Sequence, residues 1–277
     1  MPWTEITRTQ YLRAGRRYAS DLTDAEWELV APFMPAPSRY GRPRTTKLRN
    51  VVDALLYMVS TGCQWRQLPK DFPPYTTVQG YFYDWSEDST LLRINHALVM
   101  AAREVAGREA SASAGVIDSQ SVKTTEAGGP RGYDAGKKIK GRKRHIVTDT
   151  LGNLVGLLVH PADIQDRDGA AKVLATIRGV YPWLRHIFAD GGYAGDKLRD
   201  ELSGMGQWAI EIIKRSDTAK GFEVLPRRWV VERTLAWLNR CRRLAKDFEA
   251  SISSATAWVL MAHIRLLTRR IARACAA

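Results

Sequence analysis

The chain has few of the residues that build disulfide frameworks, zinc sites or membrane spans. Its 277 residues include three cysteines, which are far apart and form no C-x-x-C pair: Cys63, Cys241 and Cys275. This excludes a disulfide framework, argues against a zinc site, and is typical of a reducing cytoplasm. No stretch approaches the roughly 20 apolar residues of a membrane span, and the N-terminus lacks an apolar signal core. The sequence predicts a soluble, cytoplasmic protein with no membrane partner.

Acidic residues are too few to balance the basic ones. There are 42 Lys and Arg against 29 Asp and Glu, which gives a formal net charge of +13 and a pI of about 9.9. With 45% hydrophobic residues the chain is too apolar to be disordered. The charge favours an anionic partner, most commonly nucleic acid, although ribosomal, membrane-surface and export proteins share such a balance.

The first part of the chain carries helical patterns. Residues 1–21 are polar and basic, and we expect them to be flexible. Thr23 and Glu26 then have the spacing of a capping box, and apolar residues recur at helical spacing from Leu48 to Val59. Two further helices are predicted before residue 107. We interpret residues 22–107 as a helix-turn-helix-like DNA-binding module.

The pattern changes at about residue 113. "GVIDSQSVK" predicts one strand, and "KRHIVTDTLGNLVGLLVH" predicts two strands joined by a tight turn. Helices and strands alternate from there, so residues 113–277 predict a mixed α/β (α+β) domain in which helices flank the sheet. A glycine-rich basic segment at 124–143 interrupts the pattern. It is either a flexible solvated loop or an arm that lies on a phosphate backbone.

Three carboxylates stand out in the second part. Asp118 lies inside an apolar strand, Asp190 ends another strand in "HIFADGGYAG", and Glu232 lies in a predicted helix from Trp229 to Glu249 that is rich in arginine. A carboxylate in a buried strand is costly unless it is paired or binds a metal. Hard divalent cations take oxygen ligands, and two metals can clamp an in-line phosphoryl displacement.

Each of these acids also has a purely structural interpretation. Asp118 could cap a turn or bond a nearby serine, Asp190 could be a turn residue before glycine, and Glu232 could pair with Arg228 one helical turn earlier. The separate interpretations do not account for two strand acids, one helix acid and a basic surround in one domain.

The motifs resemble those of a known family. "LTDAEWELVAPFMP", "GRPRTT", "GCQWRQLP", "IDSQSVK", "DGGYAG" and "RRWVVERTLAWLNRCRRLAKDFE" are similar to the DDE transposases of bacterial insertion sequences, specifically insertion-sequence group five. The resemblance covers about residues 22–270. It implies a ribonuclease H-like catalytic domain in which Asp118, Asp190 and Glu232 form the catalytic triad and hold the metals.

The resemblance includes one departure. Members of the wider family often place Tyr, Arg, Glu and Lys at fixed spacing around the last acid. Arg228 and Glu232 match, but Leu225 stands at the Tyr position and Asn239 at the Lys position. Arg240, one residue later, is the candidate replacement for the phosphate contact of the lysine.

The resemblance implies a function and its partners. We expect a transposase that binds the terminal inverted repeats of its element as a homodimer or higher oligomer, cuts double-stranded DNA with water, and attacks target DNA with the freed 3′-hydroxyl. Two Mg²⁺ ions, replaceable by Mn²⁺, would serve both steps. We expect it on the bacterial nucleoid when bound to DNA. The alternatives are a nuclease of the same fold without strand transfer and a catalytically silent DNA-binding regulator.

Basic residues in three segments are the candidate DNA contacts. The "GRPR" stretch resembles an arm that enters the minor groove. The other two segments are the glycine-rich segment and the helix of Glu232. The candidates are Arg42, Arg44, Lys137, Lys138, Arg142, Lys143, Arg228, Arg240 and Arg243.

A second group, His160, Asp163 and Asp166, has a spacing that could suit a metal. We favour a different role, in which Asp166 caps the following helix and the group supports the active site.

Overall fold

Four helices form the first part of the fold. A computed structural model describes residues 12–13, 15–37, 40–41, 43–206, 208–213 and 227–275. Within these residues the helices are α1 (Asp24–Glu28), α2 (Leu48–Thr61), α3 (Tyr75–Glu87) and α4 (Thr90–Val105). The predicted capping box is confirmed, because Thr23 and Glu26 each bond the backbone N–H of the other.

Burial of one apolar face explains α2. The residues whose periodicity predicted it, among them Val51, Leu55 and Val59, are fully buried. The helix ends at Gly62, whose φ of 73° is left-handed. A side chain there would also meet the backbone of Arg242 at 3.2 Å, so glycine permits both the turn and the close approach.

Six strands form one mixed sheet. They are β1 (Ala114–Lys123), β2 (Gly132–Asp134), β3 (Ile139–Asp149), β4 (Leu154–Pro161), β5 (His186–Ala189) and β6 (Ala209–Ile212). β3 pairs antiparallel with β1 on one side and with β2 and β4 on the other, while β1, β5 and β6 run parallel. The predicted mixed α/β class is confirmed.

Helices α5 (Asp166–Ile177), α6 (Asp196–Ser203) and α7 (Trp229–Leu238) pack around the sheet, and α8 (Ile252–Cys275) is the last helix. α8 packs against α2, α3 and α4, so the end of the chain completes the core of the first helices. No helix in the described part of the chain is long and apolar enough to cross a membrane.

Part of the predicted flexible N-terminus is packed. Residues 1–11 and 14 lie outside the described residues. Tyr18 stacks on Phe72 at 5.2 Å between ring centroids, and Asp21 is buried. This segment therefore rests on the helical part.

Two predicted elements differ from the structure. The helix that begins at Trp229 ends at Leu238 instead of Glu249, and a short 3₁₀ turn, Arg242–Leu244, follows. The segment 124–143 is not one irregular loop, because residues 132–134 pair with residues 139–141 as a hairpin. Backbone pairing to β3 fixes part of the segment for which composition predicted either a flexible loop or an arm on a phosphate backbone.

Candidate active site

The fold brings the three candidate carboxylates to one end of the sheet. In β1 and β5, Val116 lies beside Phe188 in parallel register, so Asp118 and Asp190, two residues further along each chain, reach the same edge. α7 packs against β1 and β3 and carries Glu232 on its first turn.

One arginine joins two of these carboxylates. The Arg228 guanidinium lies 3.5 Å from an Asp190 oxygen and 3.4 Å from a Glu232 oxygen. The side chains of Asp190 and Glu232 are 31% and 47% exposed, so these pairs are open to solvent and individually weak. Their value is geometric, because they show that a strand acid and a helix acid face the same cation.

Asp118 completes the group from the strand. Burial, together with the negative charge of Asp190, raises the pKa of Asp118 to about 6, while the hydrogen bond from the Ser119 N–H and the positive charges of Lys137 and Arg228 act in the opposite direction. A nearby cation would stabilise the ionised form of such a carboxylate, because its charge offsets the cost of burial and the repulsion from the neighbouring acid.

The local contacts that the structural interpretation predicted are present as well. Asp118 accepts a hydrogen bond from the Ser119 N–H at 2.7 Å, and Asp190 accepts one from the Gly192 N–H at 2.8 Å. Glu232 pairs with Arg228. These contacts orient the carboxylates, and each carboxylate still has free lone pairs for a metal.

The donor set fits a hard divalent cation, although the side chains do not form a closed cage. Within the described ranges, no three His, Cys, Asp or Glu side chains are grouped so that they could hold a metal ion. Arg228 already contacts Asp190 and Glu232. Mg²⁺ commonly uses only one or two carboxylates plus water and substrate phosphate, so a preformed cage is not required.

A polar network holds Ser119, the residue that follows Asp118. Ser119 donates to Asp166 at 2.8 Å, and the Lys143 ammonium binds the same carboxylate at 2.7 Å. Lys137 donates to the Ser119 carbonyl at 2.9 Å. Burial would raise the pKa of Asp166, but the hydrogen bonds from Lys143 and Ser119 hold it below its usual range.

The second predicted metal group does not assemble. His160 contacts the Pro161 carbonyl at 2.8 Å and lies 3.5 Å from a ring nitrogen of His145, while Asp166 faces Ser119. The prediction that Asp166 caps α5 is wrong, because Gln165 is the N-cap residue. The Asp166 carboxylate is drawn to Ser119 and Lys143 instead.

A buried tyrosine and histidine lie behind the carboxylates. The Tyr193 hydroxyl lies 2.8 Å from a ring nitrogen of His145. Burial, together with the charges of Asp118, Asp166 and Asp190, raises the pKa of Tyr193 well above its usual value. Burial lowers the pKa of His145 to about 3, so His145 is neutral at physiological pH.

The structure separates the candidate DNA contacts into two sets. Arg142, Lys143 and Arg243 are buried and bind groups of their own chain, which corrects the expectation that they lie on an open DNA-binding surface. The free-energy cost of burying these charges is offset by their contacts with carboxylates and carbonyls of distant segments. The exposed candidates are Arg44, Lys137, Lys138 and Arg240, and Arg228 is partly exposed. Arg42 lies outside the described residues, as does Leu225.

Sequence patterns gave no role to Tyr193 and indicated for the serine beside Asp118 only a possible hydrogen bond with that acid. Both Ser119 and Tyr193 lie within motifs that carry the resemblance, "IDSQSVK" and "DGGYAG". Their adjacency to Asp118 and Asp190 was the available signal. The bridging role of Arg228 required the contact between α7 and the end of β5.

Comparison with known families agrees with this arrangement of a mixed sheet and strand carboxylates. Residues 109–267 match the family described as "Transposase DDE domain", so the chain belongs to this family, whose domain has the ribonuclease H-like fold. Residues 22–95 match a second family, described as "Putative transposase of IS4/5 family". The predicted resemblance and fold are thereby confirmed. Transposase domains of this family normally use divalent metal ions.

Two curated proteins are similar over part of the chain. One is a "Putative transposase for insertion sequence element IS402" from Burkholderia cepacia, 36% identical over 117 residues, which are 39% of this chain and 54% of that protein. The other is "Uncharacterized protein y4sN" from Sinorhizobium fredii (strain NBRC 101917 / NGR234), 35% identical over 83 residues, 30% of this chain and 64% of that protein. The chain thus spans roughly half to two thirds of the relatives it matches. No solved structure matched it.

Proposed function

We propose that this chain is an insertion-sequence transposase that cuts DNA at the ends of its element and joins the freed 3′-hydroxyl to target DNA. The observation that supports it most is the contact of Arg228 with both Asp190 and Glu232, beside the strand that carries Asp118. This contact, the parallel pairing of β1 with β5 and the packing of α7 on β1 support a site built from Asp118, Asp190 and Glu232.

Asp118, Asp190 and Glu232 would hold the divalent cations. Two Mg²⁺ or Mn²⁺ ions, when bound, supply positive charge to the attacking and leaving oxygens of a phosphoryl transfer. The raised pKa of Asp118 fits this role, because a nearby cation favours its ionised form.

Arg228 and Lys137 would bind the phosphate of the DNA substrate. Arg228 is held only by two weak pairs with Asp190 and Glu232, so its guanidinium would be available to donate two parallel hydrogen bonds to a phosphate. The Lys137 ammonium donates to the carbonyl of Ser119, the residue after Asp118, and its charge also acts on Asp118. The Arg228 and Lys137 side chains would offset the negative charge that develops on the phosphate during cleavage.

Recognition of the terminal inverted repeats is assigned to the helical part, with the exposed Arg44 beside α2. Because α8 completes the core of these helices, the full chain is the right material for binding studies. We propose a homodimer or higher oligomer on DNA, since two ends must be brought together for joining.

The test is cleavage of end-repeat DNA by Asp118→Asn. The amide keeps the shape of the side chain and loses the charge that a divalent cation needs, so we expect binding near that of the parent and no cleavage in Mg²⁺ or Mn²⁺. Asp200→Asn is the matched control, because Asp200 is an exposed acid on α6 that belongs to neither candidate group. Activity of Asp118→Asn close to the parent in both metals would remove Asp118 from the site.

A supercoiled plasmid substrate separates the proposal from a nuclease without strand transfer. Joined products in addition to nicks support a transposase, whereas nicks alone support the nuclease. Binding without either product would favour the silent regulator.

A further inference from the structure

A basic groove lies beside the candidate active site. The hairpin β2–β3 and the end of β1 enclose about 480 Å³, lined by eight residues. Four of these are cationic, and Glu126 is the one acidic side chain among them. The cationic residues are Lys123, Arg131, Lys138 and Lys140.

These cations are not neutralised by their own chain. All four residues are exposed. Arg131 donates only a long hydrogen bond, 3.4 Å, to the Thr125 carbonyl. Among the described residues, the ammonium groups of Lys123, Lys138 and Lys140 have no ion-pair or hydrogen-bond partner. The groove therefore keeps its positive charge for an external anion.

An aromatic ring stands among them. Tyr133 is 54% exposed and lies directly opposite Lys140 in the register of the hairpin. In the described part of the chain its ring stacks on no other aromatic or cationic group. An exposed aromatic ring within a basic groove suits an unpaired nucleobase, which can stack on the ring while cations hold its phosphates.

The groove lies at the end of β1, the strand that also carries Asp118. β1 runs five residues from Asp118 to Lys123, about 16 Å at the usual rise of a strand. Lys137, in the turn of the same hairpin, donates to the carbonyl of Ser119, next to Asp118. A strand of DNA that reaches Asp118 would pass Lys137 and enter the groove.

We propose that this groove binds single-stranded DNA, namely the unpaired strand next to the bond cut at Asp118. The inference rests on the proposed function for the position of that strand. A duplex keeps its base faces stacked inside, so a duplex would use the cations and leave the Tyr133 ring without a role.

The test compares two probes on the full chain carrying Asp118→Asn, which prevents cleavage. The probes are a labelled oligothymidine of about 15 nucleotides and a duplex of equal length, chosen to match the usual site size of such grooves. We expect Tyr133→Ala to weaken oligothymidine binding about tenfold and duplex binding less than twofold, and Tyr133→Phe to bind both like the parent.

Charge variants test the cations separately. The double variant Lys123→Gln/Lys140→Gln should reduce the steepness of the plot of log K against log salt for oligothymidine by about 1.4. Each lost phosphate contact on a single strand contributes about 0.7 to this slope. Lys172→Gln, which changes an exposed lysine on α5 outside the groove, is the control and should leave the slope unchanged.

Equal losses on both probes for Tyr133→Ala, or no loss on either, would overturn the proposal. Tighter binding of oligouridine than oligothymidine would overturn the assignment to DNA. Failure of the proposed function would show itself differently, as absence of cleavage by the parent chain with the oligothymidine measurements unchanged.

Discussion

Strand β3 uses positive charge in two opposite ways. At its start, Lys140 is exposed and lines the basic groove together with Lys138 in the preceding turn. A few residues later Arg142, Lys143 and Arg144 are 0%, 4% and 4% exposed. The same run of basic letters therefore has a surface part and an interior part.

The interior part is held by partners far along the chain. Arg142 pairs with Asp247 at 3.1 Å, Lys143 with Asp166, and Arg144 donates to the Leu244 carbonyl at 2.8 Å. The net charge of +13 thus overstates the charge that is free for DNA. A basic sequence indicates a nucleic-acid surface only where its cations lack internal partners.

The largest expected effect breaks an interior pair. Arg142→Met should lower the free energy of unfolding by about 3–5 kcal/mol, because Asp247 is left as a buried, unpaired charge. Lys140→Met, on the exposed end of the same strand, should change it by less than about 0.5 kcal/mol. Denaturant unfolding of both variants measures the difference. Similar small losses of unfolding free energy would show that the buried and the exposed basic residues of β3 contribute equally to stability.

The next effect concerns an interior group that is neutral. Burial lowers the pKa of His263 to about 3, and its ring accepts the Leu154 N–H and contacts Asn95. The unfolded histidine binds its proton below about pH 6.5. The stability that neutral His263 contributes is therefore present above pH 6.5 and is lost as pH falls toward 3.

His263→Gln should remove part of that acid sensitivity. At about 1.36 kcal/mol per pH unit, His263 accounts for about 3 kcal/mol between pH 6.5 and 4. The free energy of unfolding should fall between pH 6.5 and pH 4 in both proteins. This fall should be about 3 kcal/mol smaller in the variant than in the parent. The same difference in both proteins would mean that another group causes the acid loss.

The smallest effects separate two arginines that follow α7. Arg243 pairs with Glu249 and donates to the Cys63 carbonyl, so Arg243→Met should cost about 2 kcal/mol of stability and leave DNA binding by the folded protein intact. Arg240 is exposed, so Arg240→Met should change stability by less than about 0.5 kcal/mol and weaken binding. Thermal melting and DNA titration of each variant provide the comparison, and the reverse outcome would place Arg243 on the DNA.

Local patterns predicted most helices and strands, because apolar spacing and caps act between near neighbours. The apolar spacing that predicted α2 and the capping box at Thr23 are examples. The positions of Asp118 and Asp190 followed from the strand pattern, although their mutual approach depends on the parallel pairing of β1 with β5.

What failed depended on distant contacts. The helix predicted through Glu249 ends at Leu238, and the Arg243 side chain turns to Cys63, 180 residues earlier in the chain. Asp166 bonds Ser119, 47 residues away, instead of capping its own helix. Such partners compete with local preference, and no local spacing reveals them.

The packing of α8 on the first helices also sets an order of events during synthesis. α2, α3 and α4 leave the ribosome early, but the 24 residues that cover them come last. At about 5–20 residues per second the early helices wait on the order of ten seconds or more with an apolar face uncovered. A nascent chain that stops before Ile252 would keep that face exposed to chaperones and proteases, so only a polypeptide that includes α8 would present its helical part in the folded form.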